Sequence, residues 1–132
     1  MTRDPQPLRH LPLRRLTERR EFVRVTREGK KRAMPGVVLQ ACPRRDADDI
    51  GIGFTASKKV GKAVVRNRAR RRLKEAARLV LPHCAQPGHD YVLVARRETP
   101  ARKFADLIAD LRTALDRMKL CRTTRPTRDA AR

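Results

Sequence analysis

One stretch, from Ser57 to Arg78, constrains this chain more than any other. Val65, Ala69, Leu73, Ala76 and Val80 recur at steps of four, four, three and four, the period of one helical face turned toward a core. Around that stripe nearly everything is cationic: Lys62, Arg66, Arg68, Arg70, Arg71, Arg72, Lys74 and Arg78, with Glu75 the sole acid. At about 100° per residue, Asn67, Arg71, Lys74 and Arg78 fall opposite the stripe, with Arg66 and Arg70 on one flank and Arg68 on the other. A solvated helix face normally mixes both signs, because like charges four residues apart repel. Here Arg66–Arg70, Arg68–Arg72, Arg70–Lys74 and Lys74–Arg78 are all like-charged pairs of that spacing. Such a face makes sense when a polyanion neutralises it.

The rest of the composition agrees. A length of 132 residues suits one domain, and 39% hydrophobic residues allow only a small core. The net charge of +20 draws the chain to polyanions and opposes its own compaction. An anionic membrane surface is the competing partner. Membrane-surface helices set Trp, Phe and Leu against their basic face, whereas this chain has no Trp and its basic helix buries Val, Ala and Leu. Arginine outnumbers lysine, which suits two-pronged phosphate contacts; a genomic bias toward Arg codons gives the same excess.

Cys42, Cys84 and Cys121 are far apart and odd in number, which points to reduced thiols, a cytoplasmic protein, and neither disulfide nor zinc site. His10, His83 and His89 lack partners at metal spacing. The longest apolar run, Tyr91–Ala95, is five residues, too short to cross a bilayer, and the N-terminus lacks the apolar segment of a secretory signal.

Taken in order, residues 1–15 with Pro5, Pro7 and Pro12 read as an extended, poorly ordered arm, the domain proper being 15–120 after an arm of 1–14. Thr17 can cap a helix over Glu18–Arg27, with Glu18 and Glu21 suiting its dipole and Gly29 stopping it. Lys30–Met34 reads as an edge strand, Pro35-Gly36 as a turn, and Val37–Cys42 as a strand. Ile50–Ala56 alternates, Ile50, Ile52, Phe54 and Ala56 against Gly51, Gly53 and Thr55. Two glycines on one strand face imply a close approach, by a packed helix or by RNA. The basic helix is predicted over Lys62–Leu81, ended by Pro82. Asp90–Arg96, apolar on both faces, reads as a central strand. Phe104, Leu107, Ile108, Leu111, Leu115 and Met118 mark a core-facing helix over Lys103–Leu120, and 121–132 reads as a disordered basic tail. The order α-β-β-β-α-β-α is that of an α+β fold, a sheet covered by helices. The strand–basic helix–strand unit reads as a crossover between parallel strands, which the general rule makes right-handed in about 98% of cases.

Catalytic apparatus is not evident. The densest acids, Asp46, Asp48 and Asp49, adjoin Arg44 and Arg45, which compete for the carboxylates, so a solvated turn fits better than a metal site. There is no P-loop and no nucleophile–base set at supporting spacing. Aromatics make up only 3% of the chain, so contacts to phosphate and RNA shape should outweigh base stacking, and binding should fall steeply with salt. A DNA-binding reading would need a second helix joined by a tight turn to the basic one, but strands flank it.

The run Gly53-Phe-Thr-Ala-Ser-Lys-Lys-Val-Gly-Lys-Ala-Val-Val-Arg-Asn-Arg-Ala-Arg-Arg closely resembles the signature of the bacterial ribonuclease P protein subunit. The likeness extends to Arg15-Leu16, Glu21-Phe22, the middle strands, Asp90–Arg96 and the closing helix, over roughly residues 14–119. It implies a single-domain α-β sandwich, ribosomal protein S5 domain 2-like, with an uncommon left-handed crossover around the basic helix, an expectation that here takes precedence over the general right-handed rule. The implied function is accessory. A catalytic RNA with bound Mg2+ removes the 5′ leader of precursor tRNA, and the protein assembles with that RNA, with no small-molecule cofactor. By resemblance Ser57, Lys58, Lys59, Lys62, Arg66, Asn67, Arg68, Arg70, Arg71 and Lys74 face the catalytic RNA. Arg19, Phe22, Thr26 and Gln40 line a cleft for the single-stranded leader. Relatives often carry aromatics where Thr26 and Gln40 stand, so this cleft implies a more polar, phosphate-weighted grip. The rival reading is a ribosomal or other structural RNA-binding protein with no part in tRNA processing.

Overall fold

The structure, a computed structural model, describes residues 11–44 and 48–121. Its elements run β1 (Leu13–Arg15), α1 (Arg19–Glu28), β2 (Lys30–Met34), β3 (Val37–Pro43), β4 (Ile50–Thr55), α2 (Ala63–Cys84), β5 (His89–Ala95) and α3 (Phe104–Arg117), with a 3-10 turn at Lys58–Val60 leading into α2. The five strands form one mixed sheet in the order β1-β4-β5-β3-β2. Strands β4 and β5 are parallel neighbours connected through α2, whereas β2–β3 and β3–β5 pair antiparallel. The strand that is apolar on both faces, β5, lies at the centre of the sheet, as its sequence requires.

Alternation along the strands sorts side chains to two unequal faces. On the larger, Leu39, Ile50, Ile52, Tyr91 and Leu93 pack with Leu73, Val80 and Leu81 of α2 and Leu107, Leu111 and Leu115 of α3. The predicted α2 stripe is therefore the centre of the core: Ala69, Leu73, Ala76 and Val80 are at most 1% exposed. On the smaller face Leu16, Val25, Cys42 and Val92 form a second cluster with Phe22 and Val94 beneath α1.

Two buried carboxylates fasten the layers. Asp90 lies on the α1 side within 3.5 Å of Arg14, Arg24 and Arg44, so one charge buried in β5 ties together β1, α1 and the end of β3. Burying a carboxylate is tolerable only when it is paired in this way. Asp110 of α3 accepts two hydrogen bonds from Arg102, at 2.6 and 3.0 Å, and one from the Gly36 N–H at 2.9 Å. It holds the Pro35-Gly36 turn onto α3.

The structure departs from the sequence reading at several boundaries. Leu13–Arg15, assigned above to the extended arm, is a strand paired in parallel with Ile50–Ile52; residues 1–10 of the arm lie outside the described residues. Helix α2 continues through Pro82 to Cys84 instead of stopping at Leu81. A proline in the last turn deprives only the Arg78 carbonyl of its helical donor, while the Ala85 N–H still reaches Leu81 O at 3.0 Å and Pro82 O accepts from Leu11 N–H. Glu18, not Thr17, is the N-cap of α1. Helix α3 spans Phe104–Arg117, shorter at both ends than expected. Cys121 of the expected tail bridges Ala85, and 122–132 lie outside the described residues. All three cysteines are free thiols, and among the described residues no helix is long and apolar enough to cross a membrane.

The start of α1 depends on Glu21. Its carboxylate accepts the Thr17 and Glu18 N–H groups, each at 3.0 Å, and pairs with Arg14 at 3.2 Å. The Glu18 N–H bond, with help from Thr17 and Arg14 and against the opposing effect of burial, holds its pKa below the ordinary 4.5. A folded-state pKa below the unfolded one gives stability that is present above the unfolded value and lost as pH falls through the folded value. Glu21→Ala should therefore cost about 1 kcal/mol at pH 7. In denaturant titrations the gap from the parent should close on acidification below 4.5.

Candidate nucleic-acid interface

Strand β4 ends at Thr55, and two residues later Ser57 caps the 3-10 turn, its hydroxyl accepting the Lys59 N–H at 3.3 Å. Gly61 follows with φ +149°, a conformation that side chains rarely adopt, and a Cβ there would stand 2.9 Å from Val65. This turn places Lys58, Lys59 and Lys62 at the start of α2. The first turn of α2 holds no acid, so lysines crowd the positive end of the helix dipole instead of the anions that normally compensate it.

Along α2, the face opposite the core carries the predicted cations. Lys62, Asn67, Arg68, Arg71 and Lys74 are exposed, while Arg66 and Arg70 are half-buried on the flank. Arg66 donates to Gly61 O at 3.1 Å, and Arg70 to Asn67 Oδ1 at 2.5 Å. Both side chains are held in place by neutral partners. Arg68, Arg71 and Lys74 have no hydrogen bond or ion pair among the described residues. Glu75 accepts from Arg78 at 3.1 and 2.5 Å, one bond to each carboxylate oxygen, and that hydrogen bonding holds the Glu75 carboxyl below the usual carboxylate range. Arg72 turns away from this face, lying over the Phe104 ring and donating to Arg102 O; it joins α2 to α3. The ten residues predicted for this surface lie in the 3-10 turn, its flanking residues and the first four turns of α2, eight of them exposed and Arg66 and Arg70 half-buried.

The four residues predicted for the cleft lie on the opposite side of the sheet. Arg19, Phe22 and Thr26 share one face of α1. Thr26 Oγ1 donates to Gln40 Oε1 at 3.4 Å, and Phe22 lies over Gly53. A Cβ on Gly53 would fall 2.5 Å from the Phe22 ring, and one on Gly51 would fall 2.1 Å from Asp90 Oδ1. Of the two explanations for these glycines, the packed helix is correct: they make room for α1 and for the buried carboxylate. Beside α1, Val38, Gln40, Thr55 and Val94 remain half-buried, so this sheet face is covered only in part and a trough is left open. Ser57 follows Thr55 by two residues, so the turn carrying Lys58 and Lys59 continues from the strand that borders this open part of the sheet.

Sequence reasoning missed the arginines around Asp90, because Arg14, Arg24 and Arg44 share no spacing that points to residue 90. It also missed Arg15, whose guanidinium lies 5.8 Å over the Phe54 ring. A three-residue strand is too short to show its alternation. Glu21, Asp49 and Asp90 are brought together but share Arg14, and Arg44 also pairs with Asp49 and Asp90. This crowding of guanidiniums fits no divalent cation. Asp46 lies outside the described residues.

A small α+β protein with unpaired cations along one helix and a partly covered sheet face on the other side has the features expected of the class that binds polyanions. Comparison with known proteins narrows that class. The family described as Ribonuclease P matches residues 12–119. The ribonuclease P protein component of Gluconacetobacter diazotrophicus is 52% identical over 101 residues, 76% of this chain and 87% of the relative. That of Paramagnetospirillum magneticum is 48% identical over 110 residues, 80% and 83% of the two chains. The RNase P protein from Thermotoga maritima has a similar structure (TM-score 0.67, 27% identity, 78% of this chain and 96% of that one). The Staphylococcus aureus RNase P protein matches in fold (TM-score 0.70, 24% identity, 82% and 97%). This chain belongs to the ribonuclease P protein family.

The packing of Phe22 on Gly53 can be tested directly. Gly53→Ala should destabilise the protein by roughly 1–3 kcal/mol through overpacking. In a Phe22→Ala background the same substitution should cost far less, a coupling that a double-mutant cycle by denaturant titration would show.

Proposed function

We propose that this chain assembles, through the α2 patch, with the catalytic RNA of a bacterial ribonuclease P and holds the 5′ leader of precursor tRNA in the α1 trough. Removal of the leader is then carried out by the RNA, with Mg2+ bound mainly by the RNA. The carboxylates of this chain fit that assignment, because those brought together are already paired with arginine.

One observation carries the reading: the two surfaces lie on opposite faces of one sheet, joined by the turn at Ser57–Lys59. A protein so built can touch two polyanions at once. Its positive charge then offsets their mutual repulsion, and part of the magnesium otherwise needed for that screening becomes dispensable. At Thr26 and Gln40 the trough offers a hydroxyl and an amide, and on α1 it offers Arg19, which suits a phosphate backbone. Phe22 is the one aromatic among the four residues predicted for the trough. The family's place in tRNA processing speaks against the ribosomal reading, and strands on both sides of α2 speak against a helix-turn-helix.

The test is reconstitution with a bacterial catalytic RNA at low magnesium, comparing affinity for precursor and mature tRNA. The chain should favour the precursor over the mature form, and Phe22→Ala should reduce that preference by about tenfold if one stacked base is lost. An affinity ratio that the protein leaves unchanged would contradict leader recognition.

A further inference from the structure

A second concavity opens on the α2 side of the sheet, away from the trough. Its floor is Leu13, Ile52 and Phe54 and its rim is Arg15, Arg71, Lys74 and Arg78, with Glu75 at the edge; the space is about 460 Å³. It exists because β1 is short and stands at the edge of the sheet, so α2 overhangs a strand that fills only part of the layer beneath it.

We infer that this pocket receives one unpaired, amino-bearing nucleobase of the RNA partner, a site distinct from the leader trough. Three features select that occupant. The floor is apolar, so a bare phosphate gains nothing from entering it. The Arg15 guanidinium over the Phe54 ring forms a flat wall suited to a planar base. The rim supplies Arg71 and Lys74, which have no partner among the described residues and can take the phosphates on either side of an inserted base. Glu75 sets the chemistry of the edge. Its carboxylate is ionised and held by Arg78, so it accepts hydrogen bonds and donates none. It suits the exocyclic amino group of cytosine, adenine or guanine, whereas uracil offers it only an N3–H flanked by two carbonyl oxygens that the carboxylate repels. A low aromatic content rules out a stacking platform along a strand, but a single base needs only one ring.

The inference rests on the RNA partner proposed above, yet it can be tested without that RNA. The full chain, labelled for amide NMR, would be titrated with cytidine monophosphate, uridine monophosphate and inorganic phosphate at constant ionic strength. Cytidine monophosphate should shift Leu13, Ile52, Phe54 and Glu75 together. Phosphate should move only the cationic residues of α2, and uridine monophosphate should bind severalfold more weakly than the cytidine nucleotide. Phe54→Leu, which keeps an apolar floor, should abolish the response at Ile52 while the spectrum stays dispersed. Glu75→Gln, on an exposed surface, should erase the cytidine preference. Phosphate reproducing the full pattern, shifts gathered around Phe22 instead, equal binding of the two nucleotides, or an unaltered response in Phe54→Leu would each overturn the assignment. A failed leader experiment would leave these outcomes unaffected.

Discussion

The burial of one stripe of α2 is what the rest of this molecule depends on. Ala69, Leu73, Ala76, Val80 and Leu81 are almost wholly removed from water, at the point where α2 meets both the sheet and α3. Each fully buried Leu or Val among them stabilises the fold by roughly 1.5–3 kcal/mol. Repulsion within an exposed like-charged pair costs only a few tenths of a kcal/mol. The core can therefore carry a face that would weaken an isolated helix. What the fold leaves unquenched is available to a partner, and Arg68, Arg71 and Lys74 are the residues on which that surplus falls.

The other side of the sheet is arranged by small residues and one buried charge. Gly51 and Gly53 remove two side chains from β4, which lets Asp90 and the Phe22 ring occupy the space. Asp90 gathers Arg14, Arg24 and Arg44, and Glu21 fixes the start of α1 against the same Arg14. The guanidiniums of Arg14, Arg24 and Arg44 are thus engaged in holding α1 to the sheet, while those of Arg68 and Arg71 on α2 have no partner among the described residues. The same residue type holds the layers together on one face and is left for the proposed partner on the other. Composition alone could not separate the two.

The sequence made α2, β5 and α3 legible because each is long enough to show its period, and the cationic face followed from the buried stripe. The boundaries were less visible. Helix α2 runs through Pro82 because a proline that late costs a single carbonyl partner, a cost that burial of Leu81 and Pro82 offsets. Strand β1 escaped notice because three residues cannot display alternation and its partner lies more than thirty positions away. The glycines announced a close approach without saying of what; the answer, Phe22 and Asp90, is a matter of tertiary contact. The exposed cations of α2 could be placed on one face from periodicity alone, and the role proposed for them came from resemblance. The pocket bounded by Arg15, Phe54 and Glu75 could not be read in this way, since it joins three elements whose register appears only in the folded sheet.

The central claim is that guanidiniums on α2 are tolerated by the fold and used by RNA. The most direct measurement is the salt dependence of RNA binding for the parent and for Arg68→Ala/Arg71→Ala, alongside their thermal unfolding. The double variant should melt no lower than the parent, and at low salt slightly higher, because like charges have been removed. Its affinity for structured RNA should fall, and the slope of log affinity against log salt should shrink by roughly 1.5 to 2, as expected for two lost phosphate contacts. A variant that loses its fold, or keeps the parent's salt slope, would contradict the account.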